Sequence, residues 1–394
     1  MPALSERTTL IQPSPTLALD TEAKALKARG LDVVNLSIGE PDFPTPAHIC
    51  RAAVEAIRAG FTRYTASEGI LELREAVAGK FKRDNGLSYS PDQVVISCGG
   101  KHALYNAFQC LVQKGDEVLI PVPYWVTYPA QALLAGATPV LLETDPKTQL
   151  LTPEILEKAI TKKTRLLVLN SPGNPSGKMY SPEALKDLAV IIKKADIWVI
   201  SDDIYENLVY GDRKFANISM VCPELFDRTV IIHGVSKTYS MTGWRIGYLA
   251  GPKGVAKAAA KLQSQMTSNP ASVAQKAALA ALDGPQDCIV EMREAFSRRR
   301  TKVMELVRQI PGWECPEPDG AFYVFPRISA LYGKEFGGAE IQNSEDLAQV
   351  LLKNVRVATV PGTCFGCPDY LRLSYATSLD ELEKGLILIR DFLS

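Results

Sequence analysis

The chain has no net charge: 44 Lys+Arg are balanced by 44 Asp+Glu. No global field therefore favours nucleic acid or an acidic membrane, and any anion binding has to be local. No run of about 18 consecutive apolar residues occurs, which argues against a membrane-spanning helix. Met1 to Leu10 carries Glu6 and Arg7 and no apolar core, so no secretory signal is expected. Internal repeats and low-complexity tracts are absent as well. Cysteine is sparse, with eight in 394 residues and no dense framework, which favours reduced thiols in a cytoplasmic setting. Cys364-Phe365-Gly366-Cys367 has CxxC spacing, but it lacks a second pair for zinc and a following thioredoxin-like helix. Beside Pro361-Gly362 it reads as a turn, and no metal site is expected.

What is present is an ordinary globular composition, 46% hydrophobic and 22% charged. A chain of 394 residues is too long for one simple core, so two lobes are expected. Apolar runs at 94–97, 117–121, 138–142, 165–170, 197–202, 229–233 and 247–250 alternate with amphipathic helical patterns. Thr152-Pro153-Glu154 and Ser181-Pro182-Glu183 have the cap-then-proline form of helix starts. Such alternation predicts an α/β layer with a mostly parallel seven-stranded sheet. The ends differ. Residues 1–47 are punctuated by proline and carry one helix, Asp20–Arg29. After Gly284-Pro285 come a long charged helix, strands at Ala321–Phe325 and Val355–Val360, and a last helix from Ser378. The division expected is a large domain over 48–285 and a smaller α+β domain from 1–47 with 286–394.

The most informative segment is Ser236-Lys237-Thr238-Tyr239-Ser240-Met241-Thr242-Gly243-Trp244-Arg245-Ile246-Gly247-Tyr248. Lys237 follows the apolar run Val230-Ile231-Ile232, and lysine seldom ends a buried strand without a task for its amine. Arg245 comes eight residues later. The pairing suits a lysine that forms a Schiff base and an arginine that holds an anion on the same cofactor. This segment resembles the active-site lysine segment of the class I aminotransferases, pyridoxal-phosphate enzymes of fold type I. The resemblance extends from Pro13 to Ser378.

Other segments gain roles from it. Asn170-Ser171-Pro172-Gly173-Asn174-Pro175-Ser176-Gly177 follows a buried strand, at the sheet edge where open α/β sheets place ligands. The resemblance implies that Asn174 meets the cofactor's phenolic oxygen and the substrate carboxylate, with Asn174-Pro175 a candidate cis bond. In Ser201-Asp202-Asp203-Ile204-Tyr205-Glu206 a carboxylate at a strand end needs a cationic partner or a proton. By resemblance, Asp202 serves the pyridinium nitrogen, Tyr205 donates to the phenolic oxygen, and strand alternation turns Asp203 away. Gly99 and Gly100 open a helix that offers N–H groups to a phosphate, completed by Arg245 and, by resemblance, by Lys101 and Ser236. Trp125, also after a strand, is expected to stack on the pyridine ring. Arg372 inside the apolar Leu371–Ala376 run needs a bidentate carboxylate and matches the family's α-carboxylate arginine. Ser37–Phe43 resembles the segment that closes over substrate, with Gly39 above it, and Tyr64 matches a tyrosine that reaches the phosphate of a neighbouring subunit. A homodimer with shared sites is implied.

Two departures stand out. Gly234 occupies a place where many relatives carry a phosphate-binding serine. Ser264, before Ser268-Asn269-Pro270, stands where animal-type aspartate aminotransferases carry an arginine for the distal carboxylate. Lys101, Ser14 and Thr16 instead match the distal-carboxylate readers of the bacterial and plant-type aspartate (and prephenate) aminotransferase branch. The implied activity is aspartate:2-oxoglutarate transamination by a ping-pong mechanism, with Lys237 as Schiff-base lysine and proton shuttle. Prephenate, aromatic or alanine-type transamination and a fold-type-I lyase are the alternatives. A transcription regulator built on this fold would need a basic DNA-binding helix pair, and the first 45 or so residues show none.

Overall fold

The computed structural model describes residues 4–13 and 15–394, and for residues 15–18 and 20 it describes the backbone alone. The seven-stranded sheet contains β1 (Val94–Ser97), β2 (Glu117–Val122), β3 (Thr138–Glu143), β4 (Thr164–Asn170), β5 (Trp198–Asp202), β6 (Thr229–Gly234) and β7 (Gly247–Ala250). Each lies within about one residue of its apolar run. Their order is β1-β7-β6-β5-β4-β2-β3, and β7 is the strand that runs antiparallel to its neighbours. Strands β1, β6 and β7 are buried at every residue, which is why they read as unbroken apolar runs instead of alternating ones. Strand β3 closes one edge and leaves Leu141 exposed.

Register brings the chemistry to one edge. Asn170 at the end of β4 lies opposite Asp202 at the end of β5, and Asp202 lies opposite Ile232 of β6. Gly247 pairs with both Ser97 of β1 and Gly234 of β6. Helix α1 spans Pro15–Ala28 and α2 spans Gly100–Leu111, just after β1. Helix α3 (Pro182–Ala195) starts as its sequence predicts, with Ser181 Oγ accepting from the Ala184 N–H at 3.1 Å. Thr152 Oγ1 caps the helix Pro153–Ala159 in the same way at 3.4 Å.

A second core gathers around α4 (Asp287–Val307), α5 (Leu379–Leu393) and an antiparallel sheet of β8 (Tyr323–Val324), β9 (Val360–Pro361) and β10 (Leu371–Ser374). Phe296, Phe322, Tyr375 and Leu386 pack within it. The expected strand Ala321–Phe325 shortens to β8, because Ala321 has φ +56° and leaves the extended region. The expected strand Val355–Val360 divides. Arg356, at φ +59°, ends the preceding helix, Val357–Ala358 pairs with Val34–Asn35, and Val360–Pro361 pairs with β10. Helix α1 begins at Pro15 and not at Asp20, since the fixed φ of proline suits a first turn. The CxxC segment is a short 3-10 turn closed by Gly366 at φ +78°, and all eight cysteines are unpaired. No described helix is long and apolar enough to cross a membrane.

Candidate active site

A cavity of about 550 Å³ opens at the sheet edge where β4, β5 and β6 end. It is lined by Lys237, Asp202, Tyr205, Asn174, Arg245 and Arg372. Gly39, Gly100, Lys101, Trp125 and Ser236 also face it. Sequence-distant segments thus converge on one space.

Lys237 Nζ donates to the Gly39 carbonyl at 2.5 Å. Burial, together with the Arg245 and Arg372 guanidiniums, brings its amine down to about 8, against the opposing pull of Glu40. A substantial neutral fraction near physiological pH makes it a nucleophile and a base. Asp202 is nearly fully buried, and burial lifts its carboxyl to about 6. Tyr128 counters this by donating its hydroxyl to Asp202 Oδ2 at 2.7 Å, and the Ile204 N–H reaches Oδ1 at 3.4 Å. Asp203 does turn away: its carboxylate accepts from Ser201 Oγ at 2.6 Å and Asn217 Nδ2 at 2.7 Å.

Asn174 is held from behind, its N–H donating to Asn170 Oδ1 at 2.9 Å, and the Asn174–Pro175 bond is cis. Its Oδ1 accepts from Arg372 Nη1 at 3.1 Å, while Arg372 Nη2 donates to the Ser37 carbonyl at 2.7 Å. The guanidinium packs against two rings, 4.6 Å from the Tyr323 centroid and 5.1 Å from that of Phe365. Arg372 Nε is buried and has no partner among the described residues. A buried cation with an orphaned donor fits an incoming carboxylate.

Glycines build the anion cradle. Gly99 has φ +86°, and a Cβ there would stand 2.5 Å from Arg245 Nη2. A Cβ on Gly247 would stand 2.2 Å from the Gly100 nitrogen. The guanidinium of Arg245 therefore packs against the start of α2, and a cation beside a helix N-terminus is a combination that suits phosphate. Arg245 itself has φ +57° and is braced by the Thr242 carbonyl at 3.0 Å. Gly234 has no room for a side chain, since a Cβ would meet Gly247 Cα and the Ile246 carbonyl at 2.9 Å. The serine that the resemblance would put here has no space beside Gly247. Lys101 Nζ lies 4.9 Å from the Trp125 ring, and burial and Arg245 lower its pKa.

Tyr64 does not line the cavity and is 91% exposed. Ser264 is also away from it, donating to the Lys261 carbonyl at 2.7 Å. Ser14 lies outside the described residues, and Thr16 is described only as backbone in the first turn of α1. Three lining residues lie in none of the segments that the sequence marked as functional: Lys24, Tyr128 and Tyr323. Glu40 accepts from Thr242 Oγ1 at 2.6 Å, which straps the Gly39 segment to the Lys237 side. Glu40 lies within the segment expected to close over the substrate, whereas neither tyrosine carries a motif.

A family model described as aminotransferase class I and II matches residues 31–387. An aspartate aminotransferase of Geobacillus stearothermophilus is 48% identical over 391 residues, covering 99% of this chain and 98% of that protein. An aspartate/prephenate aminotransferase of Cereibacter sphaeroides is 48% identical over 395 residues, covering 100% and 99%. The crystal structure of the aspartate aminotransferase from Rhizobium meliloti superposes with a TM-score of 0.95 at 42% identity, covering 100% of both chains.

Proposed function

The chain belongs to the class I and II aminotransferases, enzymes that depend on pyridoxal phosphate, and we propose that its reaction is amino transfer from aspartate to 2-oxoglutarate. The observation that carries the choice is Lys101 in the same cavity as Arg372. With Arg245 set at the anion cradle and Lys237 as the base, Lys101 beside Arg372 offers a second substrate carboxylate a cation of its own.

The residues present fit the cofactor. The cradle of Gly99, Gly100, Ser236 and Arg245 would take its phosphate, and Asp202 would face its ring nitrogen. Asn174 and Tyr205 would meet its phenolic oxygen, and Trp125 would cover the ring. Bound there, pyridoxal phosphate supplies an electron sink for the pair left when the substrate Cα–H bond breaks. Asp202 contributes a buried negative charge that keeps the ring nitrogen protonated. Arg372 takes the α-carboxylate with two parallel N–H donors, and Lys101 takes the distal one. Lys237, neutral in large part above pH 8, would take the α-proton at its Nζ and pass it to the cofactor carbon, and would carry a proton the opposite way to Cα in the second half of the cycle. Gly39, on the segment strapped through Glu40 to Thr242, closes over the substrate and excludes water.

Around this site we divide the chain into a large lobe, 48–285, and a small lobe, 1–47 with 286–394. Exposure of Tyr64 supports its acting on a second copy across a homodimer, and the unpaired cysteines support a cytoplasmic setting. Prephenate is the second reading, because a full-length relative carries both names and prephenate also brings a second carboxylate. The test compares kcat/KM of wild type and Lys101→Ala on aspartate and on alanine. Aspartate turnover should fall about 100-fold while alanine changes little. Equal losses on both would refute the distal-carboxylate role.

A further inference from the structure

Tyr323 is absent from every motif above, yet it touches three parts of the site. Its hydroxyl lies 2.9 Å from that of Tyr205, and both side chains are buried. Its ring lies under the Arg372 guanidinium, 4.6 Å from centroid to Cζ. A Cβ added to Gly39 would meet the Tyr323 hydroxyl at 3.1 Å, so the closing segment rests on it too. Tyr205 follows β5 of the large lobe, whereas Tyr323 and Arg372 lie on β8 and β10 of the small one. The hydroxyl pair thus bridges the two lobes at the cavity wall.

We propose that Tyr323 is a positioning residue that donates to Tyr205, so that the Tyr205 proton is directed into the cavity, while its ring sets the plane of the Arg372 guanidinium. A hydroxyl that accepts one hydrogen bond donates the next more strongly, because chained hydrogen bonds polarise one another. Tyr205 is faced by Asp202 from its own turn, by Tyr323 from β8 and by Arg372 from β10. Either hydroxyl of the Tyr205–Tyr323 pair can donate, and donation from Tyr323 is the arrangement that leaves the Tyr205 proton free for the cavity. The Arg372 plane follows from its two ring contacts: Cζ lies 4.6 Å from the Tyr323 centroid and 5.1 Å from that of Phe365, so rotation of the guanidinium would disturb both. One side chain therefore joins the carboxylate site to the donor at the cofactor's phenolic oxygen.

The inference rests on the cofactor assignments above but not on the choice of aspartate. The hydroxyl arm of its test needs no substrate, so its failure is distinguishable from that of the substrate reading. The purified enzyme, loaded with pyridoxal phosphate, is titrated with pH while the absorbance of the bound cofactor is followed. In Tyr323→Phe the midpoint should rise by about half a pH unit or more, because a weaker donor at the phenolic oxygen leaves the neighbouring nitrogen more basic. Tyr205→Phe should shift it further in the same direction, and adding Tyr323→Phe to that variant should change nothing more. A wild-type midpoint in Tyr323→Phe, or an undiminished shift from it in the Tyr205→Phe background, would overturn the proposal. Tyr323→Leu, which also removes the ring, should raise KM for the amino donor about tenfold, while Tyr323→Phe leaves KM within about twofold. A rise in KM of equal size in both variants would refute the role of the ring.

Discussion

The Lys237 amine is held 2.5 Å from the Gly39 carbonyl, although the two residues stand 198 positions apart in the chain. The base is therefore fixed by the backbone of the segment that closes over the substrate, and no side chain of the sheet is needed to hold it. Its burial brings the amine down to about 8, so the folded protein binds this proton less tightly than the unfolded chain does.

Between about pH 8 and 10.5 the unfolded chain carries more of that proton, so stability rises with pH across this window. Below it the charged amine costs the cofactor-free fold on the order of 3 kcal/mol. Lys237→Met should accordingly melt at a higher temperature than wild type at pH 7, with the gap closing as pH approaches 10.5. Lys237→Ala should lose about a thousandfold or more in turnover. A gap that is constant with pH would mean the amine is not buried as a charge.

Tyr128 favours the ionised form of Asp202 by donating at 2.7 Å, in a place where burial raises the carboxyl to about 6 even with that bond in place. Tyr128→Phe should raise the Asp202 pKa further, because it removes a bond to the charged form. Loss of one such bond should weaken pyridoxal-phosphate binding by about five- to tenfold, read by cofactor titration. Unchanged affinity would detach Tyr128 from the cofactor.

Gly234→Ser introduces the serine that the family resemblance implies but places a Cβ 2.9 Å from Gly247 Cα and the Ile246 carbonyl. The added volume has only backbone to push against, so the variant should lose about 1–3 kcal/mol in chemical unfolding. An equally stable or tighter-binding variant would show that β7 can give way.

How much of this was legible in the sequence depended on where each residue sits. Lys237, Asp202 and Asn174 follow apolar runs, so the strand pattern itself placed them at the sheet edge. Arg372 stood out as one cation in an apolar strand. Tyr128 and Tyr323 did not stand out, because an aromatic on a helix or in an apolar strand has the same pattern whether it fills a core or meets a carboxylate. Their partners, Asp202 and Tyr205, lie 74 and 118 positions away, and only the pairing of elements brings them together. The short strands of the second core were blurred for a similar reason: Arg356 and Ala321 take positive φ without being glycine, so no residue type announced the break.

The most direct test of the central claim mixes the pyridoxal-phosphate-loaded protein separately with aspartate, glutamate, phenylalanine and alanine, and follows the bound cofactor's absorbance. Rapid change with aspartate and glutamate alone is the predicted result, with an oxo acid released in equal amount. Change mainly with phenylalanine or alanine would contradict the pairing of Lys101 with a second carboxylate.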